Sequence, residues 1–238
     1  MVINMLLSGD LRNGLITLLM WLPIVIFSLS FHETAHAYIA YKLGDPTARN
    51  FGRISLNPAK HLDPIGFASM LLLGIGWAKP VPINARNFEN PRKGMALSSL
   101  AGPVSNLILA VIFAFFCALS EFFWWRTDYL STAYTVLLYV ARFFYYGVIL
   151  NVSLAVFNLI PIPPLDGSRL LGLALPPKYY FSYMKYERYI GMGFLILVLV
   201  LSQRDISLIS FITEPITNKL LWLFETPAEI IFKLIWQS

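Results

Sequence analysis

Long apolar runs constrain this chain more than any other feature. Five stand out, at residues 14–41, 64–78, 95–120, 132–160 and 189–202. A helix needs about 20 apolar residues to cross a bilayer, and three of the runs exceed that length. Charged residues make up only 13% of the chain, about half the share of a soluble domain. The sequence predicts an all-α polytopic protein within the lipid bilayer, with about four to six transmembrane helices.

The second apolar run, 64–78, is short and contains three glycines. Four Lys or Arg residues precede it and four follow it. Because such residues collect in cytoplasmic loops, both flanks are expected on the inner side. The pattern predicts a re-entrant segment over 64–78, which dips into the membrane and returns.

Charge placement then orients the whole chain. With a re-entrant second run the N-terminus lies outside and the first helix runs inward. Of the 18 Lys and Arg residues, twelve fall in inner loops and five outside. The net charge of +5 is therefore interpreted as a topology signal, and no nucleic-acid partner is predicted.

The chain is divided into a membrane-embedded core, 1–205, and a C-terminal tail, 206–238. Within the tail, residues 216–236 alternate apolar clusters with four charges. This pattern is typical of an amphipathic helix lying on the outer surface. A sixth span is the alternative.

The segment that follows the second run is rich in proline. Pro80 and Pro82 exclude a helix there and favour extended backbone. We expect a short strand or β-loop over 79–85 at the membrane edge.

The inner end of the first run carries the sequence His32-Glu33-Thr34-Ala35-His36. Residues four apart lie on one face of a helix, so the two imidazoles can hold one zinc ion. Glu33 can act as general base beside them. Polar residues in membrane helices can also simply join helices. However, ionisable side chains are costly there and usually mark functional sites.

A catalytic zinc ion needs a third protein ligand and an open position for water. Asp166 is the only carboxylate between Asp128 and Glu187. It follows a proline cluster that ends the fourth run and precedes a half-helix expected over 168–175. We predict Asp166 as the third ligand, although it could instead, or also, cap that half-helix.

These patterns together resemble the site-2 protease family of intramembrane zinc metalloproteases. The resemblance covers about residues 20–175. Further stretches, 53–64 and 77–82, look like its compact bacterial and archaeal members. The motifs that carry it are His32-Glu33-x-x-His36, Gly102-Pro103-x-x-Asn106 and Asn158-x-x-Pro-x-Pro-x-Leu-Asp166-Gly167.

The resemblance implies a site. One zinc ion per chain would be held by His32, His36 and Asp166, with Glu33 as general base toward a zinc-activated water. Asn106 and Asn158 match polar positions near the substrate backbone or the reacting carbonyl. Either asparagine could instead join helices.

The resemblance also implies a substrate class and a location. The reaction would be hydrolysis of peptide bonds within or near transmembrane helices of single-pass proteins. It would take place at the cytoplasmic side of a bacterial or archaeal plasma membrane. The segment with Lys79, Val81 and Ile83 could pair with an unwound substrate strand. The short loops leave no room for an inserted PDZ domain, and the short tail none for a CBS pair.

Two other functions and one residue stay open. A metal transporter would also place His and acidic residues in the membrane, but it would need several sites along a path. An inactive relative acting as a binding module would usually show a damaged motif. For His61, in the loop before the second run, a structural or substrate-gating role is as plausible as a catalytic one.

Overall fold

The computed structural model describes residues 11–73, 76–202 and 213–223. This part of the chain is helical, with two short 3-10 turns at Pro58–Lys60 and Ala85–Asn87. The helices are α1 (Leu11–Lys42), α2 (Thr47–Asn50), α3 (Pro64–Leu73), α4 (Pro91–Trp124), α5 (Thr132–Leu159), α6 (Gly167–Ala174), α7 (Pro177–Lys185), α8 (Glu187–Ser202) and α9 (213–223).

Three helices, α1, α4 and α5, are long and apolar enough to cross a membrane. Each begins and ends within a few residues of the run predicted for it. The chain is an integral membrane protein. At 16 residues, α8 falls short of the length that a span usually needs, so the predicted count of four to six spans stays a prediction.

Local signals set the ends of the long helices. Asn90 caps α4 by accepting a hydrogen bond from the Lys93 N–H, and Pro91 occupies the first helical position, where its missing N–H costs nothing. Ser131 caps α5 through the Tyr134 N–H. The prolines from Pro161 onward prevent α5 from continuing, as the sequence predicted.

The core lies where α1, α4 and α5 meet. Ile24, Phe113 and Val148 belong to its main apolar cluster, and Leu221 joins it from α9. Large apolar side chains also cover the outer faces of these helices, Ile108 and Phe115 among them, as a lipid-facing surface requires. Residues 203–212 and 224–238, with the predicted domain boundary at 205 and most of the predicted amphipathic helix, lie outside the described residues.

The predicted re-entrant region contains the ten-residue helix α3. The residues that flank the region lie next to each other. Leu62 forms an antiparallel bridge with Ala78, and the Lys79 N–H donates to the His61 carbonyl at 2.8 Å.

Of the short strand or β-loop expected over 79–85, the strand is absent from these described residues, which corrects that prediction. The described residues contain no strand, and the bridge between Leu62 and Ala78 is isolated. Residues 79–84 are non-helical, and a 3-10 turn begins at Ala85. Lys79 bonds to the His61 carbonyl, but residues 80–83 make no hydrogen bond with a described residue, and Pro80 and Pro82 have no N–H to donate. The segment is therefore an edge that is unpaired between its ends.

Candidate metal centre

Three predicted ligands converge on one point. The Nε2 atoms of His32 and His36 are 2.9 Å apart. The Asp166 Oδ2 atom lies 3.2 Å from the first and 3.3 Å from the second. Both histidines are buried, and Asp166 Oδ2 is buried without a hydrogen-bond partner among the described residues. In the described chain this is the one group of His, Cys, Asp or Glu side chains placed to share an ion.

Partners on α4 orient the two imidazoles. His32 Nδ1 lies 2.5 Å from Asn106 Oδ1, and His36 Nδ1 lies 2.7 Å from the Ser98 carbonyl oxygen. Both partner atoms are acceptors, so each Nδ1–H donates to its partner and Nε2 is the nitrogen available to a metal ion. Such outer hydrogen bonds fix the tautomer of a metal-binding histidine.

The carboxylate completes the donor set. Burial alone would raise the pKa of Asp166, but contact with the His32 and His36 imidazoles outweighs it and lowers that pKa to about 2. Asp166 is thus ionised at neutral pH. Two imidazole nitrogens and a carboxylate oxygen therefore face one another, and two imidazoles with one carboxylate are a donor set of catalytic zinc sites.

The approach of α4 to the imidazoles depends on Gly102. A Cβ atom at this position would lie 2.4 Å from His32 Cε1 and 2.5 Å from His36 Cε1. No larger residue fits without moving the rings. The Gly-Pro-x-x-Asn sequence therefore combines a close approach at Gly102 with a hydrogen-bond acceptor one turn later at Asn106.

The bend after α5 delivers Asp166. Gly167 begins α6 so close to α5 that a Cβ atom would lie 2.3 Å from the Leu159 carbonyl oxygen. Asp166 stands at the cap position of α6 but makes no side-chain capping hydrogen bond. Its carboxylate is directed to the histidines instead.

Glu33 lies on α1 beside the first histidine and is half-buried. Its carboxylate makes no hydrogen bond or ion pair with a described residue, which leaves both oxygens available to a water or a substrate. The structure thus places it next to the ligands without engaging it.

The predicted polar positions differ in their surroundings. Asn106 is fully buried and forms part of the ligand support. Asn158 is half-buried and donates only to the Leu154 carbonyl within its own helix. Val81 and Ile83 are half-buried, and Lys79 is exposed.

Sequence reasoning missed the support behind Asn106. The Asn106 side-chain N–H donates to Asn151 Oδ1 on α5 at 2.9 Å. Asn151 in turn donates to Ser28 Oγ on α1 at 2.9 Å. This buried chain ties all three spanning helices to the orientation of His32. An asparagine inside an apolar span is itself a signal, and Asn151 could have been found that way.

The fold and the centre together define a class: a helical membrane protein with a buried metal centre built on a His-Glu-x-x-His helix. Residues 20–201 match peptidase family M50. The chain belongs to this family, the site-2 protease family, as the motifs predicted. The predicted enzyme class, a zinc metalloprotease, is confirmed with it.

Individual relatives agree. The chain is 45% identical to "Putative zinc metalloprotease YwhC" of Bacillus subtilis over 73% of its own length and 77% of that protein. It is 31% identical to "Putative zinc metalloprotease Rip2" of Mycolicibacterium smegmatis, over 74% of this chain and 64% of the relative. "Zinc metalloprotease MJ0392" of Methanocaldococcus jannaschii is 26% identical, over 78% of this chain and 43% of that protein. No solved structure shows a significant match.

Proposed function

We propose that this protein cleaves peptide bonds within or near the transmembrane helices of single-pass membrane proteins. The carrying observation is the convergence of His32, His36 and Asp166 beside Glu33, on a helix apolar enough to cross the bilayer. A soluble protease would not need to build its centre there. A transporter would need several groups of metal-binding side chains along a path, and the described residues contain one such group.

The three ligands would hold one zinc ion per chain. When bound, the ion lowers the pKa of a water ligand and polarises the scissile carbonyl. Glu33 accepts the proton of the attacking water and returns it to the leaving amine. Its unengaged carboxylate suits this shuttle. Asn106 and the Ser98 carbonyl keep the imidazoles in place throughout, so the ligand geometry needs no rearrangement during the reaction.

The substrate must present an unwound strand, since a helix satisfies its own carbonyls. The segment 79–84 is suited to receive it, because the N–H groups of Val81 and Ile83 donate to no described residue. Extended peptides bind such edges by strand addition. Asn158, at the end of α5, would contact the substrate backbone.

The centre would face the cytoplasm of a bacterium or archaeon. Lys/Arg placement supports this orientation. The contact between Leu62 and Ala78 also supports it, because a re-entrant segment must bring its two flanks to the same side.

Purified protein in liposomes, with a panel of single-pass substrates, tests the activity. We expect cleavage by the wild type and none by Glu33→Gln, since Gln cannot accept a proton. Both proteins should contain one zinc per chain by elemental analysis. Cleavage by Glu33→Gln at the wild-type rate would remove Glu33 as the base. A wild type that binds zinc but cleaves no substrate would contradict the proposed activity.

Cysteine labelling in a Cys117→Ala background tests the orientation. Probes at Lys60→Cys and Arg86→Cys should both react from the cytoplasmic side. Reaction of the two probes from opposite sides would make 64–78 a true span and reverse every later helix.

A further inference from the structure

The segment 79–84 is hydrogen-bonded to the rest of the protein at its two ends. The residues between them make no such bond with a described residue. At its start, the Lys79 N–H donates to the His61 carbonyl at 2.8 Å. The Lys79 carbonyl accepts from the buried Arg53 guanidinium at 2.5 Å. At its end, the Asn84 N–H donates to Asp45 Oδ2 at 2.7 Å.

The first attachment leads to the metal-binding helix. The fully buried His61 side chain lies with Nε2 2.6 Å from the Ser55 carbonyl oxygen and 3.3 Å from Thr34 Oγ1. Thr34 Oγ1 is itself 2.6 Å from the same Ser55 oxygen. Thr34 is the residue after Glu33. His61 therefore joins α1 at the catalytic motif through its side chain, and the segment through its backbone.

The second attachment leads to the C-terminal end of the same helix. Asp45 follows α1 by three residues and is fully buried. Its Oδ1 accepts from the Thr47 N–H at 3.0 Å and from the Asn87 side chain at 2.6 Å, which leaves Oδ2 for Asn84. The carboxylate thus connects the end of α1 to both sides of the 3-10 turn after the segment.

Both attachments thus lead to α1, the first at Thr34 and the second at the turn after its last residue. Val81 and Ile83 lie between the two attachments.

We propose that His61 and Asp45 are positioning residues that set the register of a bound substrate strand against Glu33. The inference rests on the proposed function of 79–84 as the substrate edge. A segment held at both ends cannot shift relative to Glu33, so a substrate strand paired with it in one register presents one peptide bond to the centre.

The register of the bound strand can be measured without catalysis. A series of substrate variants, each with a single cysteine at a different position, is cross-linked to Val81→Cys in a Glu33→Gln, Cys117→Ala background. We expect one substrate position, or two of the same strand face, to dominate. With Asp45→Ala or His61→Ala added, cross-links should spread over several positions. His61→Gln keeps a donor for the Ser55 carbonyl and should restore the register.

Cleavage gives the second readout. In the active protein, each alanine variant should raise KM about tenfold with kcat changed less, and mass spectrometry should show products cut at neighbouring bonds. Zinc content should stay at the wild-type level. Ser131→Ala, which removes the cap of α5 far from the segment, is the matched control and should keep one cleavage position. If an alanine variant folds poorly, Asp45→Asn, which keeps one acceptor oxygen, should show an intermediate spread.

The outcomes separate the two proposals. Alanine variants that cross-link and cut at the wild-type position would overturn the positioning role, even if proteolysis is established. A wild type that cleaves nothing, but cross-links in a register that depends on Asp45 and His61, would overturn the proteolysis and retain the positioning.

Discussion

The candidate metal centre and the segment 79–84 are both connected to the C-terminal part of α1, yet they are held in different ways. At the centre, each histidine has a hydrogen-bond partner behind it, and Asn106 is supported in turn by Asn151. The segment is held only at its ends. Chemistry requires fixed atoms, whereas an edge that pairs with a strand must keep its N–H groups available. The same helix thus supports a rigid site and an open one.

The largest effect is expected at the centre. Asp166→Ala removes one of three ligands, so zinc affinity should fall by more than the about 10–100-fold that loss of an outer partner costs, and cleavage should disappear. Elemental analysis after dialysis measures the zinc. Asp63→Ala, which removes a carboxylate bonded only to the Gly66 N–H, should keep its zinc. Full zinc occupancy in Asp166→Ala would exclude this residue as a ligand.

The next largest effect is expected from a larger side chain placed against the two histidines. Gly102→Ala places a methyl group within 2.5 Å of both imidazoles, and we expect a loss of about 1–3 kcal/mol of stability together with weakened zinc binding. Gly193→Ala is the matched control, because a Cβ there meets nothing within 4 Å. Thermal unfolding in detergent compares the two. Equal unfolding temperatures and equal zinc content would contradict the close approach of α4.

Removal of an outer partner should cost less. Asn106→Ala leaves His32 Nδ1 without its acceptor and should weaken zinc binding by about 10–100-fold. Competition with a zinc chelator measures the affinity. Asn158→Ala should leave the affinity unchanged, because Asn158 bonds only within its helix. A shared effect on zinc in both variants would show that Asn158 also supports the centre.

Substitutions in the segment 79–84 should change substrate cleavage and leave zinc binding unchanged. Val81→Pro removes one unused N–H while retaining extended backbone, so kcat/KM should fall about tenfold with zinc intact. Val81→Ala keeps the N–H and should lose less. Steady-state cleavage of one model substrate measures both. If the proline variant cleaves as well as the alanine variant, backbone pairing at Val81 is not used.

The smallest effect concerns pH. Burial would raise the pKa of Asp45, but hydrogen bonds from Thr47, Asn87 and Asn84 outweigh it and lower that pKa. A lowered pKa in the folded state stabilises the fold at pH values above the ordinary pKa of about 4. This contribution is lost as the pH falls through the pKa of the folded state. The wild type should unfold about 2–4 °C above Asp45→Asn at pH 7. The gap should close in acid, and a gap constant down to pH 3 would contradict the assignment. Zinc loss in acid affects both proteins, so it cancels when their unfolding temperatures are subtracted.

Much of the fold follows from local sequence. Apolar runs predicted α1, α4 and α5 closely, because helix length and ends depend on neighbouring residues and on the solvent around them. The pair His32 and His36 was predictable for the same reason, since four residues make one helical turn.

Other features depend on distant residues. The sequence predicted a short strand or β-loop at 79–85 from its prolines, but a strand also requires a continuous partner, and the described residues supply only the isolated bridge between Leu62 and Ala78. Likewise, no local pattern reveals that Asn151 supports Asn106, or that His61 and Asp45 hold the two ends of one segment.

The sequence by itself determined that this chain enters a membrane and carries a His-Glu-x-x-His helix, and it predicted Asp166 as a third ligand. Only the tertiary structure decided which groups surround those ligands. The physical reason is range: helix formation and apolar burial are set within a few residues, whereas a hydrogen bond between residues 45 and 84, or 106 and 151, exists only after the helices have packed.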